Sequence, residues 1–114
     1  MTFVHTVQAG RITVAVSGDL DLKTAAPLRE ALDGLINRYP DRQLVLDLAE
    51  VDFVDSSGLG VILGRYRKLS ASGRSMALSG VKPPVWMVLE LAGVLSIMPV
   101  SEYLPRNPVR DGRA

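Results

Sequence analysis

Apolar and polar residues alternate in two short stretches at the start of the chain. These stretches, residues 3–7 and 12–17, contain several β-branched residues and are separated by the turn-prone Ala9-Gly10-Arg11. Alternation of this kind is typical of half-buried strands, and a short turn between two of them indicates a hairpin. The pattern therefore predicts an antiparallel hairpin in which Ile12, Val14 and Val16 share one face.

A helical pattern follows the break at residues 18–21. Apolar residues recur at intervals of three and four positions, at Leu28, Leu32, Leu35, Ile36 and Tyr39. This spacing predicts an amphipathic helix. We expect Thr24 to cap its N-terminus and Pro27 to lie in its first turn, where the missing N–H removes no hydrogen bond.

The second half of the chain alternates between short apolar runs and helical patterns. Residues 43–48 are almost continuously apolar, which predicts a central strand covered on both faces. A helix should begin at Ser56 and end at Gly73, followed by a buried strand at residues 75–79. We expect a helix at 84–92 and a last edge strand at 96–100, because Pro99 cannot donate to a neighbouring strand.

The predicted order of elements is ββαβαβαβ. It indicates one α/β domain, in which a mixed β-sheet combines the N-terminal hairpin with parallel strands and the helices pack on it. We assign residues 1–103 to this domain. Residues 104–114 contain two prolines, four charges and no apolar period, so we expect a disordered tail.

Composition removes several classes of function. The 114 residues carry 13 basic and 12 acidic side chains, for a net charge of +1, which does not favour direct nucleic-acid binding. The absence of cysteine and the single histidine exclude a disulfide framework, a thiol nucleophile and the usual zinc shell. We find no apolar segment long enough to cross a membrane and no signal peptide, and we expect a cytoplasmic protein without a cofactor.

Two enzymatic interpretations fit poorly. Gly58, Gly60 and Gly64 lie at a loop-to-helix junction like a phosphate-binding loop, but their spacing differs from the dinucleotide and P-loop motifs. A serine hydrolase would need a base beside Ser56 or Ser57, and the only histidine, His5, lies in the first strand. We therefore expect no enzyme.

Acidic residues near strand ends leave two other possibilities. Carboxylates at Asp47, Asp52 and Asp55 could hold a hard cation such as Mg²⁺, although charged loop ends explain them more simply. The chain also shares features with a phospho-aspartate receiver domain. The features are Asp19 and Asp21 after one strand, Asp47 in the central strand, and Lys82-Pro83 after a later one. A receiver alternates five strands with five helices, whereas only three helices are predicted here.

Serine at the start of the second predicted helix has two possible roles. Its hydroxyl could cap the helix, or it could accept a phosphate that the helix dipole tolerates. Gly58, Gly60 and Gly64 would each weaken a helix interior by about 1 kcal/mol relative to alanine. Their presence suggests that another backbone, from the sheet or from a partner, comes close.

The segment DSSGLGVILGRYR at residues 55–67 resembles the STAS family, most closely its anti-sigma-factor antagonists of bacterial sporulation. The preceding VLDL, the earlier GDLDLKTA and the later PPVWMVLELAGVL extend the similarity over about residues 3–102. The resemblance implies a partner switch. The unphosphorylated antagonist binds an anti-sigma factor that is also a serine kinase and displaces the sigma factor. Phosphorylation then dissociates the complex, and a phosphatase resets it.

The resemblance also assigns roles to individual residues. The phosphorylated serine corresponds to Ser56. The partner-binding residues correspond to Asp21, Asp55, Ser56, Ser57, Gly58, Leu59 and Gly60. The chain departs from the family by ending in a proline-containing segment rather than a helix, and by placing Trp86-Met87 where polar residues are common. We expect this pair to fill the core. A STAS module of a stress-response assembly, with the same phosphoserine and other partners, stays an alternative.

Overall fold

A computed structural model describes residues 1–105 of the chain as a five-stranded sheet with three α-helices. The strands are β1 (Thr2–Gln8), β2 (Arg11–Ser17), β3 (Gln43–Glu50), β4 (Met76–Val81) and β5 (Val100–Glu102). The helices are α1 (Leu22–Arg38), α2 (Ser56–Ala71) and α3 (Pro83–Leu91), with a short 3₁₀ helix at Val94–Ser96. None of these helices is both long and apolar enough to cross a membrane.

The strands lie in the order β1-β2-β3-β4-β5. Only β1 and β2 are antiparallel, and every later neighbour is parallel. Each parallel step contains a helical crossover, and crossovers of one hand place all three helices on the same face of the sheet. The predicted fold class, a hairpin followed by parallel strands with packed helices, is confirmed.

Strand β3 shows how the sheet divides the protein into a core and an open face. Leu44, Leu46 and Leu48 are fully buried under the helices. Val45 and Asp47 alternate with them and are only partly buried on the other face. The prediction that this strand is covered on both faces is wrong, because the three crossovers lie on one side and no helix within residues 1–105 covers the other.

Helix α1 begins three residues earlier than the predicted cap at Thr24 would place it. Asp21 is the N-cap, and its Oδ1 accepts hydrogen bonds from the backbone N–H groups of Lys23 at 3.0 Å and Thr24 at 3.1 Å. Thr24 is not the cap, since it lies at the third helical position and its Oγ1 accepts the Asp21 backbone N–H at 2.9 Å. Pro27 consequently lies in the second turn rather than the first, on the exposed side of the helix.

The end of the described chain also differs from the prediction. Helix α3 begins at Pro83, and a turn at Gly93, with φ of +79°, leads into the 3₁₀ helix instead of a strand. Strand β5 therefore starts only after Pro99, whose carbonyl accepts a hydrogen bond from the Leu78 N–H at 3.0 Å. The predicted last edge strand is thus present, but its predicted bounds, 96–100, are wrong. Of the predicted disordered tail at 104–114, residues 106–114 lie outside the described residues.

The Trp86-Met87 pair divides between the core and the surface. Trp86 is half-buried and packs against the core cluster, as expected. The prediction is wrong for Met87, whose side chain is 61% exposed. The buried residues of α3 are Val85 and Leu89. At about 100° per residue, Met87 lies on the opposite side of the helix from both and therefore points away from the sheet.

Charged side chains join α2 and its following loop to α1. Arg65 Nε lies 3.0 Å and Lys68 Nζ 3.4 Å from Asp33 Oδ1. After α2, Arg74 Nη1 donates to the backbone carbonyls of Ile36 and Tyr39 at 3.2 and 3.1 Å. These carbonyls lie at the C-terminal end of α1, where no intrahelical donor is available. The contacts fix the two helices side by side.

The loops that follow β2 and β3 are joined through Leu20. Its backbone N–H donates to the Phe53 carbonyl at 2.9 Å, and its carbonyl accepts the Asp55 N–H at 3.0 Å. Gly58, on the first turn of α2, rests directly on this bridge. A Cβ added at Gly58 would lie 2.6 Å from the Leu20 oxygen and 2.8 Å from the Leu20 Cβ.

The expected close approach of a backbone to the glycines of α2 is thus confirmed at one of them. Gly58 meets the domain's own Leu20. The expectation is wrong for Gly60 and Gly64. Apart from the backbone of α2 itself, no described atom lies within 4 Å of a Cβ added at either position. The space beside both positions is therefore open to a side chain.

This difference predicts opposite effects of the same substitution on stability. Gly58→Ala should lower the free energy of unfolding by about 1–3 kcal/mol, because the new methyl group overlaps backbone atoms that cannot move without breaking the bridge. Gly60→Ala, two residues away on the same helix, should raise it by up to about 1 kcal/mol through helix propensity. Chemical denaturation of both variants measures this. Equal effects of the two substitutions would contradict the close packing of Gly58 on Leu20.

Candidate functional site

The N-terminus of α2 is capped by an aspartate, which leaves the first serine of the helix free. Asp55 Oδ1 accepts hydrogen bonds from the N–H groups of Ser57 at 2.8 Å and Gly58 at 3.1 Å. Ser56 is the first helical residue and is exposed. Of the two roles considered for this serine, capping is therefore filled by its neighbour, and the Ser56 hydroxyl faces outward.

The Leu20 bridge brings the predicted acidic residue Asp21 next to this helix start. Leu20 pairs with Val54 as an isolated parallel bridge, and each is followed directly by the aspartate that caps a helix. The capped ends of α1 and α2 therefore lie side by side at the carboxyl edge of the sheet. Asp21 and Ser56, which are 35 positions apart in the chain, belong to one surface.

A groove between α1 and α2 opens beside these caps. It has a volume of about 420 Å³ and is lined by Leu22, Ala25, Ala26, Arg29, Ser57, Gly60 and Val61. The small residues on both helices leave this space, and Gly60 contributes to it because it has no side chain. Leu22 stands at one side of the groove with 77% of its surface exposed.

The predicted partner-binding residues play different parts in this arrangement. Ser56 and Gly60 are exposed and available to a partner, and Asp21, Asp55 and Ser57 are partly exposed. Gly58 is buried against Leu20, and Leu59 is half-buried against the core. Gly58 and Leu59 therefore pack the first turn of α2 against the rest of the domain.

Three residues of this surface were not found from the sequence. Leu22 and Arg29 line the groove, and Phe53, whose carbonyl accepts the Leu20 N–H, is 50% exposed in the loop that leads to Asp55. Leu22 is an apolar residue outside the apolar stripe of α1. This mismatch was the one feature of the sequence that could have indicated an exposed apolar residue here. Phe53 and Arg29 become part of the site only because the loops and helices meet in the fold.

The structure also shows where the residues of the receiver and metal hypotheses lie. Asp47 lies on the open face of the sheet, where its Oδ1 accepts the Ala49 N–H at 3.0 Å. Lys82 Nζ contacts Asp52 Oδ1 at 2.9 Å, and this hydrogen bond raises the pKa of the lysine. Asp55 serves as a helix cap. Within residues 1–105, no three acidic or histidine side chains are grouped so that they could hold a metal ion.

Comparison with known proteins agrees with this arrangement of elements. The model of the STAS domain family matches residues 3–105. An anti-sigma F factor antagonist from Paenibacillus polymyxa is 43% identical over 91 residues, which cover 80% of this chain and 78% of that protein. An anti-sigma-B factor antagonist from Listeria monocytogenes is 30% identical over 95 residues, which cover 78% and 77%.

A solved structure shares the architecture as well. The Bacillus cell fate determinant SpoIIAA in its phosphorylated form superposes with a TM-score of 0.69 and 24% identity, over 87% of this chain and 90% of that one. At this identity the likeness shows the fold alone. Because the family model spans nearly all of the described residues, we conclude that this chain belongs to the STAS domain family.

Proposed function

We propose that this protein is an anti-sigma-factor antagonist controlled by phosphorylation of Ser56. In its unphosphorylated form it binds an anti-sigma factor with serine kinase activity and frees the sigma factor. The kinase then phosphorylates Ser56, the complex dissociates, and a phosphatase restores the active form. The observation that carries the proposal is the exposed Ser56 hydroxyl, which stands beside the α1–α2 groove while Asp55 caps the helix.

The exposed position allows phosphorylation without unfolding. A phosphate on Ser56 projects into solvent from the first residue of α2, and negative charge is favourable at a helix N-terminus. The N–H groups of Ser57 and Gly58 already donate to Asp55. The modification therefore changes the charge of the surface and leaves the packing of Gly58 on Leu20 intact.

The added charge is large enough to end a complex. A phosphoserine carries about −1.5 to −2 charges at neutral pH. A like charge about 4 Å away costs about 1 kcal/mol in water and about 4 kcal/mol at an effective dielectric of 20. Since about 1.4 kcal/mol corresponds to a tenfold change in affinity, the loss can range from tenfold to more than a thousandfold.

Sequence identity to relatives favours sporulation over a stress response as the process that this protein controls. The relative at 43% identity is an antagonist of anti-sigma F, whereas the relative at 30% is an antagonist of anti-sigma-B. We therefore propose sporulation control, with a stress-response assembly as the second candidate. Binding of this chain to purified anti-sigma F and anti-sigma-B factors, compared side by side, distinguishes the two.

A negative charge placed at Ser56 should weaken binding to the anti-sigma factor without unfolding the protein. We expect Ser56→Asp to lower affinity for the anti-sigma factor at least about tenfold, while its thermal midpoint stays close to that of the wild type. The control is Ser70→Asp, which adds the same charge to an exposed position at the other end of α2. Calorimetric titration measures affinity. Undiminished binding by Ser56→Asp, or equal losses in the two variants, would contradict the switch.

The charge of Asp21 and its capping role can be separated by two substitutions. Asparagine retains a side-chain oxygen and keeps the cap, so Asp21→Asn should weaken partner binding at low salt and retain stability to within about 0.5 kcal/mol. Asp21→Ala should in addition destabilise the protein by about 1 kcal/mol. Binding titrations at several salt concentrations, together with denaturation, test this. If Asp21→Asn binds as tightly as the wild type at low salt, the carboxylate does not contact the partner.

A further inference from the structure

Strand β1 presents a long free edge to solvent. Within residues 1–105 it pairs only with β2, on one of its sides. Its seven residues, TFVHTVQ, contain none of the lysine, acidic or proline residues that usually protect an edge from pairing. At the opposite edge of the sheet, β5 has three residues and ends in Glu102. The unprotected edge is therefore β1.

The hairpin determines which backbone groups of β1 point outward. A two-residue loop joins Gln8 to Arg11, so this flanking pair exchanges hydrogen bonds and every second pair after it does the same. The backbone groups of Phe3, His5 and Val7 consequently face away from β2. His5 is the central residue of the strand, and the three outward positions are symmetric about it.

Helix α1 carries opposite charges at equal distances on either side of Gly34, close to this edge. A groove of about 360 Å³ between β1 and α1 is lined by Phe3 and His5 on the strand and by Glu30, Gly34 and Arg38 on the helix. These three helical residues are spaced by four, so they lie on one face. All three are exposed, and apart from the backbone of α1 itself, a Cβ at Gly34 would meet no described atom within 4 Å.

We propose that β1 and this face of α1 form an interface between two copies of this chain. An antiparallel β1–β1 pair centred on His5 places Phe3 of each copy opposite Val7 of the other and makes six backbone hydrogen bonds. The two sheets then become one continuous sheet. A twofold axis near His5 and Gly34 reverses the direction of the second α1, so that Glu30 of one copy faces Arg38 of the other on both sides of the axis.

The spacing of a sheet makes this charge pairing possible. Paired strands lie about 4.8 Å apart, so two helices packed over neighbouring halves of the joined sheet lie roughly 10–15 Å apart. Glutamate and arginine side chains can span such a gap, and Gly34 leaves the space at its centre open. The half-buried Phe3, which lines the groove, would pack beside the half-buried Val7 of the other copy.

This interface leaves the candidate site free. Ser56 and the α1–α2 groove lie on the side of α1 that faces α2, away from β1. The inference does not rest on the proposed function, and a dimer would present two such surfaces. Its test is accordingly independent of any anti-sigma factor.

Charge reversal on α1 tests the proposal directly. Sedimentation equilibrium of the wild type, from micromolar to near-millimolar concentration, should show a monomer–dimer equilibrium. Glu30→Arg should raise the dimer dissociation constant at least about tenfold. The new arginine of each copy would face Arg38 of the other, so that both ion pairs become repulsive. The double variant Glu30→Arg with Arg38→Glu should restore the dimer, since both contacts become attractive again.

Two further measurements separate this interface from others. Arg29→Glu reverses a neighbouring charge on the side of α1 that faces α2 and should leave the dimer unchanged. Amide hydrogen exchange should slow with concentration at Phe3, His5 and Val7 but not at Val4 and Thr6, whose N–H groups already bond to β2. A wild type that stays monomeric throughout overturns the proposal. So does a dimer that Arg29→Glu dissociates, or one that Glu30→Arg leaves intact.

Discussion

The backbone bridge through Leu20 is the constraint on which the site depends. Two loops from neighbouring parallel strands are held together there by hydrogen bonds of 2.9 and 3.0 Å. Gly58 closes over the bridge with no space for a side chain. Because Leu20 and Val54 each immediately precede the N-cap of a helix, fixing these residues also fixes the relative position of α1 and α2 at this edge. The Asp33 ion pairs and the Arg74 contacts hold the same two helices together along their length.

This arrangement separates the residues that stabilise the site from the residue that would switch it. Asp21 and Asp55 satisfy the free N–H groups of their helices, and Gly58 supports them from below. Ser56 has none of these structural tasks and lies at the surface. A modification there can alter the surface charge without loss of packing, which is what a reversible regulatory switch requires.

Much of the fold could be predicted from hydrophobic periodicity, and the errors have physical causes. The helices and the hairpin followed from spacing alone, whereas the cap of α1 did not, because Asp21 and Thr24 are both good capping residues and bond to each other. The apolar run of β3 resembled a strand buried on both faces, although only Leu44, Leu46 and Leu48 are covered. At the site, Ser56 could be singled out from its motif. The groove and the exposed Phe53 could not, since they arise from contacts between segments that are distant in the sequence.

The central claim is that Ser56 is the residue at which the partner modifies this surface. Its most direct test is mass spectrometry with site mapping, after incubation of the protein with ATP and the anti-sigma factor that binds it. The account predicts a single phosphate, located on Ser56, and release of the modified protein from the complex. Phosphate on Ser57 or Asp47, or a bound anti-sigma factor that transfers no phosphate, would contradict it.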